Sequence, residues 1–246
     1  MNETLAIQHS HRSIRSYKTV PISNEMLDAI IKAGHHAPSS MNAQEISVVV
    51  VRDPERKTRI AELAGGQPWI TQAPVFIAIV ADFNKTEMGV RKAGQTQVVH
   101  ESMEGMLVAS IDAGLVLANM MVAARSLGLG IVPIGGIRRN PQDLIDLLDL
   151  PPLTFPLVGL VIGHTDNYAP LKPRMDISTF RHEERYDASM YSAAIDRYDE
   201  TIMDYWKTLG RNDGITWSQN LGNNWKQVYY PQVKPVAAMQ GLLNEK

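Results

Sequence analysis

Apolar positions along this chain recur with two periods, one helical and one extended. Continuous β-branched runs are typical of buried strands, whereas apolar residues three and four positions apart indicate helices. The runs predict strands at residues 46–51, 75–80, 131–134 and 157–162. Helical spacing, N-cap residues and helix-ending glycines or prolines predict helices at residues 3–10, 24–37, 54–64, 99–127, 141–148 and 193–207. Because the run 46–51 is unbroken, we expect it in the centre of a sheet.

The longest predicted helix, residues 99–127, is apolar on nearly every face between residues 106 and 124. A helix that is apolar all round must be buried all round. We therefore expect a central helix, part of which packs against a second subunit. A transmembrane span is the alternative, but Asp112, Asn119 and Arg125 interrupt the apolar run.

Two stretches of the chain differ in composition from the rest. Residues 84–97 are polar and aperiodic, which predicts a mobile excursion. After residue 186 the composition changes, and the tail becomes rich in Asn, Gln and aromatic residues. We predict a core domain over residues 1–186 and an arm over residues 187–246 that wraps the core or a partner and is not an independent domain.

Composition narrows the function classes. The chain has 246 residues, of which 44% are hydrophobic, so one large domain with an appended arm fits its length. A formal charge of −2 gives no overall basic field, which argues against nucleic acid as the main partner. There is no cysteine, and the N-terminal residues lack the apolar core of a signal peptide. We expect a cytoplasmic protein without a membrane partner.

The strongest candidate for a binding site is the run His11-Arg12-Ser13-Ile14-Arg15. Two guanidinium groups, an imidazole and a hydroxyl suit an anion, because a guanidinium fork matches phosphate oxygens two at a time. A solvated basic turn is the alternative. Lys172-Pro173-Arg174 offers a second pair of cations, and the proline should extend the backbone so that both face one side. An exposed basic turn is again the alternative.

Three uncharged stretches are further candidates. The loop Ser39-Ser40-Met41-Asn42-Ala43-Gln44 carries hydroxyls and amides that can read the edge of a heterocycle, or can simply cap and turn the chain. Gln67 follows the glycines that end a helix. In Pro133-Ile134-Gly135-Gly136, the two glycines allow a ligand to approach the backbone, or make a tight turn. No dinucleotide-binding glycine fingerprint is present, and the histidines lack the spacing of a metal site.

These stretches, in this order and spacing, resemble the nitroreductase family, and within it the larger oxygen-insensitive NADPH nitroreductases and flavin reductases. The resemblance implies an α+β nitroreductase-like fold, a mixed and largely antiparallel sheet wrapped by helices, with a C-terminal arm. It implies an intertwined homodimer with two FMN at the interface. It also implies FMN-dependent NAD(P)H oxidoreductase chemistry, in which nitroaromatics, quinones or flavins receive a hydride by a ping-pong mechanism. A sibling activity such as reductive dehalogenation and a non-catalytic flavin-binding module are the alternatives.

The resemblance also assigns roles to residues. It implies FMN phosphate contacts from His11, Arg12, Ser13, Lys172 and Arg174, with Arg15 at the pyrimidine edge of the ring. Ser39, Ser40 and Asn42 would reach the partner's flavin, Gln67 would contact the ring, and the backbone of Pro133, Ile134, Gly135 and Gly136 would lie beside flavin N5. The chemistry would then need no catalytic side chain. In the arm, the basic cluster typical of the family is reduced to Arg211, which is the candidate for the NADPH 2′-phosphate.

Overall fold

The computed structural model describes residues 2–244, which form two compact units. The first unit comprises residues 2–169 and 230–244, and the second unit comprises Pro170–Tyr229. The predicted division between residues 186 and 187 falls inside the second unit. Residues 230–244 of the predicted arm belong to the first unit.

A four-stranded sheet lies at the centre of the first unit. Its strands are β1 (Ile46–Val51), β2 (Val75–Asp82), β3 (Gly130–Ile134) and β4 (Thr154–Gly163), in the order β1-β2-β4-β3. All three strand pairs are antiparallel, and Val161 of β4 lies opposite Phe76 on one side and Val132 on the other. The α+β class and the largely antiparallel sheet are confirmed, and each of the four predicted strands is present.

The predicted central position of residues 46–51 is wrong. Among residues 2–244, β1 is an edge strand that pairs only with β2, and five of its six residues are partly exposed. Its side chains nevertheless meet helices on both faces, with Val49 packed on one side and Val48 and Val50 on the other. Cover on both faces favours a nearly continuous apolar run, interrupted here only at Ser47, whatever the position of the strand in the sheet.

The described residues contain ten α-helices. In the first unit they are α1 (Glu3–His9), α2 (Asn24–His35), α3 (Pro54–Leu63), α4 (Pro68–Gln72), α5 (Phe83–Lys92), α6 (Met103–Ser126), α7 (Pro141–Leu147) and α10 (Val233–Met239); in the second unit they are α8 (Tyr191–Thr208) and α9 (Trp217–Trp225). The predicted caps Asn2 and Ser23 accept hydrogen bonds from the backbone N–H groups of Leu5 and Met26.

The core consists of helices on both faces of the sheet. Alternate residues of β2 point to opposite faces, because side chains alternate along a strand. Phe76 and Val80 pack with the cluster that includes Ile60, Ile70, Ile137 and Leu144, whereas Ile77 and Ile79 pack with the cluster that includes Leu27, Ile30 and Met120. A third cluster joins Phe83 and Phe155 to Val236 and Leu242, so the last helix completes the first unit's own core.

Helix α6 is only partly buried. Its buried positions are Gly105, Ala109, Asp112, Ala113, Met120 and Ala124. Met103, Leu107, Ile111 and Leu115 form an exposed stripe at intervals of four residues and are 61%, 50%, 61% and 38% exposed. The expectation of burial on all sides is therefore not met within one chain. By length and composition α6 could span a membrane, as can many core helices. Two of its charged residues, Asp112 and Arg125, however, form hydrogen bonds with Ser40 and Ser10 of the first unit.

The predicted mobile excursion at residues 84–97 is wrong, because most of it is helix α5. Asp82 caps this helix by accepting a hydrogen bond from the Lys85 N–H at 3.1 Å, and Phe83 is buried. Glu87 and Arg91 form an ion pair one turn apart, with a nitrogen–oxygen distance of 2.6 Å. A single buried aromatic residue anchors the helix, so it lacks the repeated apolar pattern that would have revealed it.

Candidate functional site

The basic loop after α1 packs along the outer edge of β3. The Ile14 N–H donates to the Ile131 carbonyl at 2.9 Å, and the Ile14 side chain is buried. A side chain at Gly130 would come within 3.0 Å of Ile14 Cγ2. Glycine at the start of β3 therefore lets the loop lie directly on the strand, and this contact fixes the backbone of residues 11–15.

Two arginines meet in a cavity of about 200 Å³ beside this loop, which is lined by Ser10, Arg12, Ile14, Arg125, Leu129, Gly130, Ile131 and Tyr168. Arg125 of α6 is held at the end of α1. Its guanidinium donates to the Ile7 carbonyl, to the Ser10 carbonyl at 2.9 Å and to the Ser10 hydroxyl at 3.0 Å. Burial, and then the charge of Arg12, lowers the pKa of Arg125 below its usual value.

Arg12 lacks a comparable set of acceptors. Its Nε atom is buried and has no hydrogen-bond partner among the described residues. A buried donor without a partner costs free energy, and so does a second positive charge nearby. An anion that accepts from Arg12 would remove both costs. The cavity therefore has the chemistry of an anion site.

A second part of the site lies at the end of β3. Gly135–Arg138 forms a 3-10 turn there, and a side chain at Gly136 would come within 2.4 Å of Gln67 Nε2 and 2.6 Å of the Ala64 carbonyl oxygen. Gln67 is itself held by donating to that carbonyl at 2.8 Å. The predicted residues Gln67 and Gly136 are thus in contact, and only glycine fits at position 136.

Arg15 connects the basic loop to this region. Its guanidinium carbon lies 5.5 Å from the ring centre of Trp69 in α4, the helix that Gln67 precedes. The indole nitrogen of Trp69 is buried without a hydrogen-bond partner among the described residues. Beyond Arg15, the Tyr17 hydroxyl donates to the Ile14 carbonyl at 2.8 Å, which steadies the loop. Charged, aromatic and amide groups therefore occur together here.

Pro133 and Ile134 lead into the glycine turn from β3. Pro133 lies opposite Leu160 of β4, and in the part of the chain that the structure describes β3 is an edge strand that pairs with β4 alone. A proline is tolerated there because an edge strand does not need all of its N–H groups. Ile134 is buried, so it anchors the turn while Gly135 stays partly exposed.

The predicted loop 39–44 forms a long-range hydrogen bond with α6. The Ser40 N–H donates to Asp112 Oδ2 at 2.7 Å, and the Gln44 N–H donates to the Ser39 hydroxyl at 3.3 Å. Met41, Asn42 and Gln44 have positive φ angles between 53° and 56°, which side-chain-bearing residues adopt at a cost. The loop is therefore held in an unusual shape with its polar side chains exposed.

A buried carboxyl pair lies under this loop. Glu45 is 2% exposed and Asp112 is 4% exposed, and neither carboxyl oxygen of Glu45 has a hydrogen-bond partner among the described residues. Burial, together with the nearby Asp112 carboxylate, raises the pKa of Glu45 to about 7, although Lys85 acts in the opposite direction. Glu45 therefore stays protonated to a higher pH than an ordinary glutamate, beneath the loop 39–44 that Asp112 holds through Ser40.

In the second unit, Lys172 and Arg174 are exposed on either side of Pro173, whose carbonyl accepts from the Tyr198 hydroxyl at 2.8 Å. Lys172 lines a cavity with Arg211, and Arg174 lines another with Phe180 and Tyr198. The structure therefore brings Lys172 together with the NADPH candidate Arg211 inside this unit.

Sequence reasoning missed three residues that hold these sites. Asp112 and Arg125 were visible as charges inside an apolar helix, a pattern that we used only against a membrane span. Trp69 lies two residues after Gln67, but a single aromatic residue carries no signal of a cation contact. Their partners are distant in sequence, so only the fold reveals them.

Known proteins resemble this chain along its whole length. Residues 9–164 match the profile of the nitroreductase family, and residues 172–245 match that of the nitroreductase family C-terminal domain. An FMN reductase (NAD(P)H) of Bacillus subtilis is 43% identical over 249 aligned residues, which cover 100% of both chains. The structure of B. megaterium NfrA2 is 41% identical with a TM-score of 0.97 over 100% of both chains. The NADPH:FMN oxidoreductase from Vibrio harveyi, complexed with NAD+, is 31% identical with a TM-score of 0.90, over 99% of this chain and 100% of that one.

The raised pKa of Glu45 predicts a pH-dependent stability. The folded state holds the Glu45 proton between about pH 4.5, the usual glutamate value, and about pH 7, so folding loses stability as the pH rises through this window. In Glu45→Gln the side chain has nearly the shape of a protonated glutamate and stays uncharged at every pH. We expect this variant to exceed the wild type in free energy of unfolding by about 1–3 kcal/mol at pH 8, with the difference disappearing near pH 4.5.

Urea denaturation of both proteins across this pH range measures the effect. Glu55→Gln, at an exposed position in the first turn of α3, is the matched control. If Glu45→Gln raises the free energy of unfolding by the same amount at pH 4.5 and at pH 8, Glu45 does not titrate in this way.

Proposed function

This chain belongs to the nitroreductase family, and from that premise we propose that the basic loop, the turn at Gly136 and the loop 39–44 build its flavin site. The chain is an NAD(P)H-dependent flavin oxidoreductase that uses FMN. The single observation that carries the assignment of the site is the buried Nε atom of Arg12, a charged donor with no partner among the described residues.

The phosphate end of FMN would occupy the cavity between Arg12 and Arg125. The phosphate would accept from Arg12 and offset the repulsion between the two guanidinium groups, because charge-assisted hydrogen bonds are strong where water is scarce. His11 and Ser13, which flank Arg12, would add an imidazole and a hydroxyl. Lys172 and Arg174 are proposed phosphate contacts on the strength of the family resemblance.

The ring end of FMN would lie by Arg15, Gln67 and the glycine turn. Arg15 offers a positive charge for the pyrimidine edge, where negative charge accumulates on reduction. Gln67 offers an amide, and Gly135, which is partly exposed and has no side chain, would let a ligand approach the turn closely. Bound FMN supplies the redox chemistry by taking a hydride from NAD(P)H and giving it to an acceptor, while the protein binds and orients both.

We also propose that the working form is a homodimer. The stripe Met103, Leu107, Ile111 and Leu115 is too apolar and continuous to face water without cost. Asp112, on the same helix, holds the exposed loop 39–44 through Ser40. If α6 packs against its copy, this loop is carried to the interface, where Ser39, Ser40 and Asn42 can reach the partner's flavin. A cytoplasmic location and small-molecule acceptors complete the proposal.

The reaction itself is tested by spectroscopy without oxygen. We expect the purified protein to show flavin absorbance, NADPH to bleach it in the absence of any acceptor, and a nitroaromatic, a quinone or free FMN to restore it. Parallel double-reciprocal plots against donor and acceptor would support the ping-pong order. Bleaching that no acceptor reverses would instead indicate a flavin-binding module.

Removing the charge of Arg12 should weaken FMN binding. Arg12→Ala deletes charge-assisted contacts worth about 1.5–3 kcal/mol, so we expect the FMN dissociation constant to rise roughly 10- to 100-fold. Quenching of flavin fluorescence by the apoprotein measures it, with Lys172→Ala and Arg174→Ala compared in the same titration. Arg59→Ala is the control, since this exposed arginine pairs with the surface carboxylates of Glu62 and Asp143. Equal FMN affinity in Arg12→Ala and Arg59→Ala would refute the phosphate assignment.

A charge in the exposed stripe of α6 should disrupt the dimer. Leu107→Asp would bury a carboxylate in an apolar interface, which is costly without a partner, so we expect dissociation and loss of flavin. Sedimentation velocity with simultaneous detection of flavin absorbance measures both. Met88→Asp on α5 is the control, because Met88 is 60% exposed outside the stripe. A monomer that keeps its full flavin content would rule out the shared site.

A further inference from the structure

The cavity of about 390 Å³ in the second unit is built around the indole of Trp206. Lys172 Nζ lies 5.1 Å from the indole ring centre, and Arg211 Cζ lies 4.6 Å from it, so two cations meet one aromatic side chain. The indole N–H donates to the Ile215 carbonyl at 3.1 Å. A side chain at Gly214 would come within 2.3 Å of the indole, so glycine there lets the loop close on the ring.

Arg211 is not an isolated cation in this cavity. Its Nε donates to Asp213 Oδ1 at 3.1 Å and its Nη2 donates to Asp213 Oδ2 at 3.0 Å, a two-pronged ion pair. The hydrogen bonds and charge of Arg211 lower the pKa of Asp213, which is therefore ionised at neutral pH. Both side chains are about half exposed or more, so solvent screens the pair and it can exchange partners.

We propose that Asp213 is a specificity-determining residue that makes this cavity accept the adenosine ribose of NADH as well as that of NADPH. The inference rests on the proposed function, in which NAD(P)H is the hydride donor, and on the expectation that Arg211 meets the 2′-phosphate of NADPH. It assigns a role to a carboxylate that otherwise has only a surface ion pair, and it explains how one loop can serve two donors.

The two donors differ only in the group on the 2′ position of this ribose. A 2′-phosphate needs the guanidinium fork of Arg211, which the Asp213 carboxylate already occupies. The phosphate must displace that carboxylate and then remain close to its negative charge. The phosphate therefore gains less from Arg211 than it would gain from a free arginine.

A 2′-hydroxyl meets the opposite situation. It can donate a hydrogen bond to the Asp213 carboxylate, as acidic residues do in other NAD sites, without breaking the ion pair. Arg211 and Asp213 neutralise each other, so their pair does not repel either donor's pyrophosphate. The Asp213 carboxylate thus reduces the difference in affinity between NADPH and NADH, and the cavity can still accept either donor.

Donor preference in the intact, flavin-loaded enzyme gives the first test. For Asp213→Asn we expect the ratio of kcat/KM for NADPH to kcat/KM for NADH to rise about three- to tenfold at low salt and to shrink as salt is added. Asp204→Asn is the matched control, because Asp204 forms an exposed ion pair with Lys207 on α8 at 2.9 Å and does not line the cavity. We expect this control to keep the wild-type ratio.

Fragment binding gives a second readout that needs no turnover. Calorimetric titration with 2′,5′-ADP and 5′-AMP compares two ligands that differ only in the 2′-phosphate. Asp213→Asn should bind 2′,5′-ADP about three- to tenfold more tightly and 5′-AMP no more tightly than wild type. Arg211→Ala should remove most of the difference between the two fragments.

The outcomes separate the inference from the proposed function. Absence of turnover with both donors would count against the oxidoreductase function. If fragment affinities and donor ratio in Asp213→Asn match those of Asp204→Asn, or if neither fragment binds wild type at millimolar concentration, the role of Asp213 is overturned.

Discussion

Repulsion between Arg12 and Arg125 is the interaction on which the proposed flavin site depends. Arg125 is tied to the end of α1 by two carbonyls and a hydroxyl, so it cannot turn away. Arg12 is held by the packing of the neighbouring Ile14 on β3. A fold that fixes two like charges in a partly buried cavity loses free energy unless an anion joins them. A phosphate that binds here should therefore also stabilise this region, because it removes the repulsion between the two guanidinium groups.

Helix α6 carries the groups that organise the rest of the first unit. Arg125 near its end holds the basic loop, and Asp112 near its middle holds Ser40 in a strained turn. Its exposed stripe offers the surface on which a second copy can pack. Because one rigid helix bears all three features, the phosphate end, the polar loop and the proposed interface keep a fixed spacing.

Local patterns in the sequence were enough for much of the fold. The four strands and the capped helices follow from apolar periodicity and from residues such as Asn2 and Ser23, whose partners lie three residues away. Contacts between distant residues could not be predicted in this way. Ser40 and Asp112 are 72 residues apart, and Ser10 and Arg125 are 115 apart. Composition favours neither pairing, since each of these residues also suits an ordinary cap or a solvated face. The edge position of β1 and the helical state of α5 were missed for the related reason that packing decides them.

In the candidate site, too, the sequence reveals the motifs, whereas only the fold reveals the contacts between them. The motifs from His11 to Gly136 were found by residue type and order, but their roles remain proposals that rest on geometry. Gly136 illustrates what the structure adds. In the sequence it is one of two glycines after a strand, compatible with any tight turn. In the fold it is the position where α3, α4 and β3 meet so closely that Gln67 and Ala64 leave no space for a methyl group. The glycine is needed for this close approach whether or not a ligand is bound.

The charges of the two units suit two kinds of ligand. In the first unit, Arg12 has a buried donor with no partner among the described residues, so a phosphate bound there gains the full strength of a charge-assisted contact. In the second unit, Arg211 is exposed and already neutralised by Asp213, so a phosphate gains little by joining it. The arrangement around Arg12 favours a ligand that stays bound, and the arrangement around Arg211 favours a ligand that binds and leaves rapidly. A ping-pong oxidoreductase needs this contrast, because its flavin must stay bound through every turnover while its nicotinamide donor must leave before the acceptor can enter. If the donor binds in the second unit as we propose, a stronger cation there would slow donor release, and the Asp213 carboxylate would prevent this by neutralising Arg211.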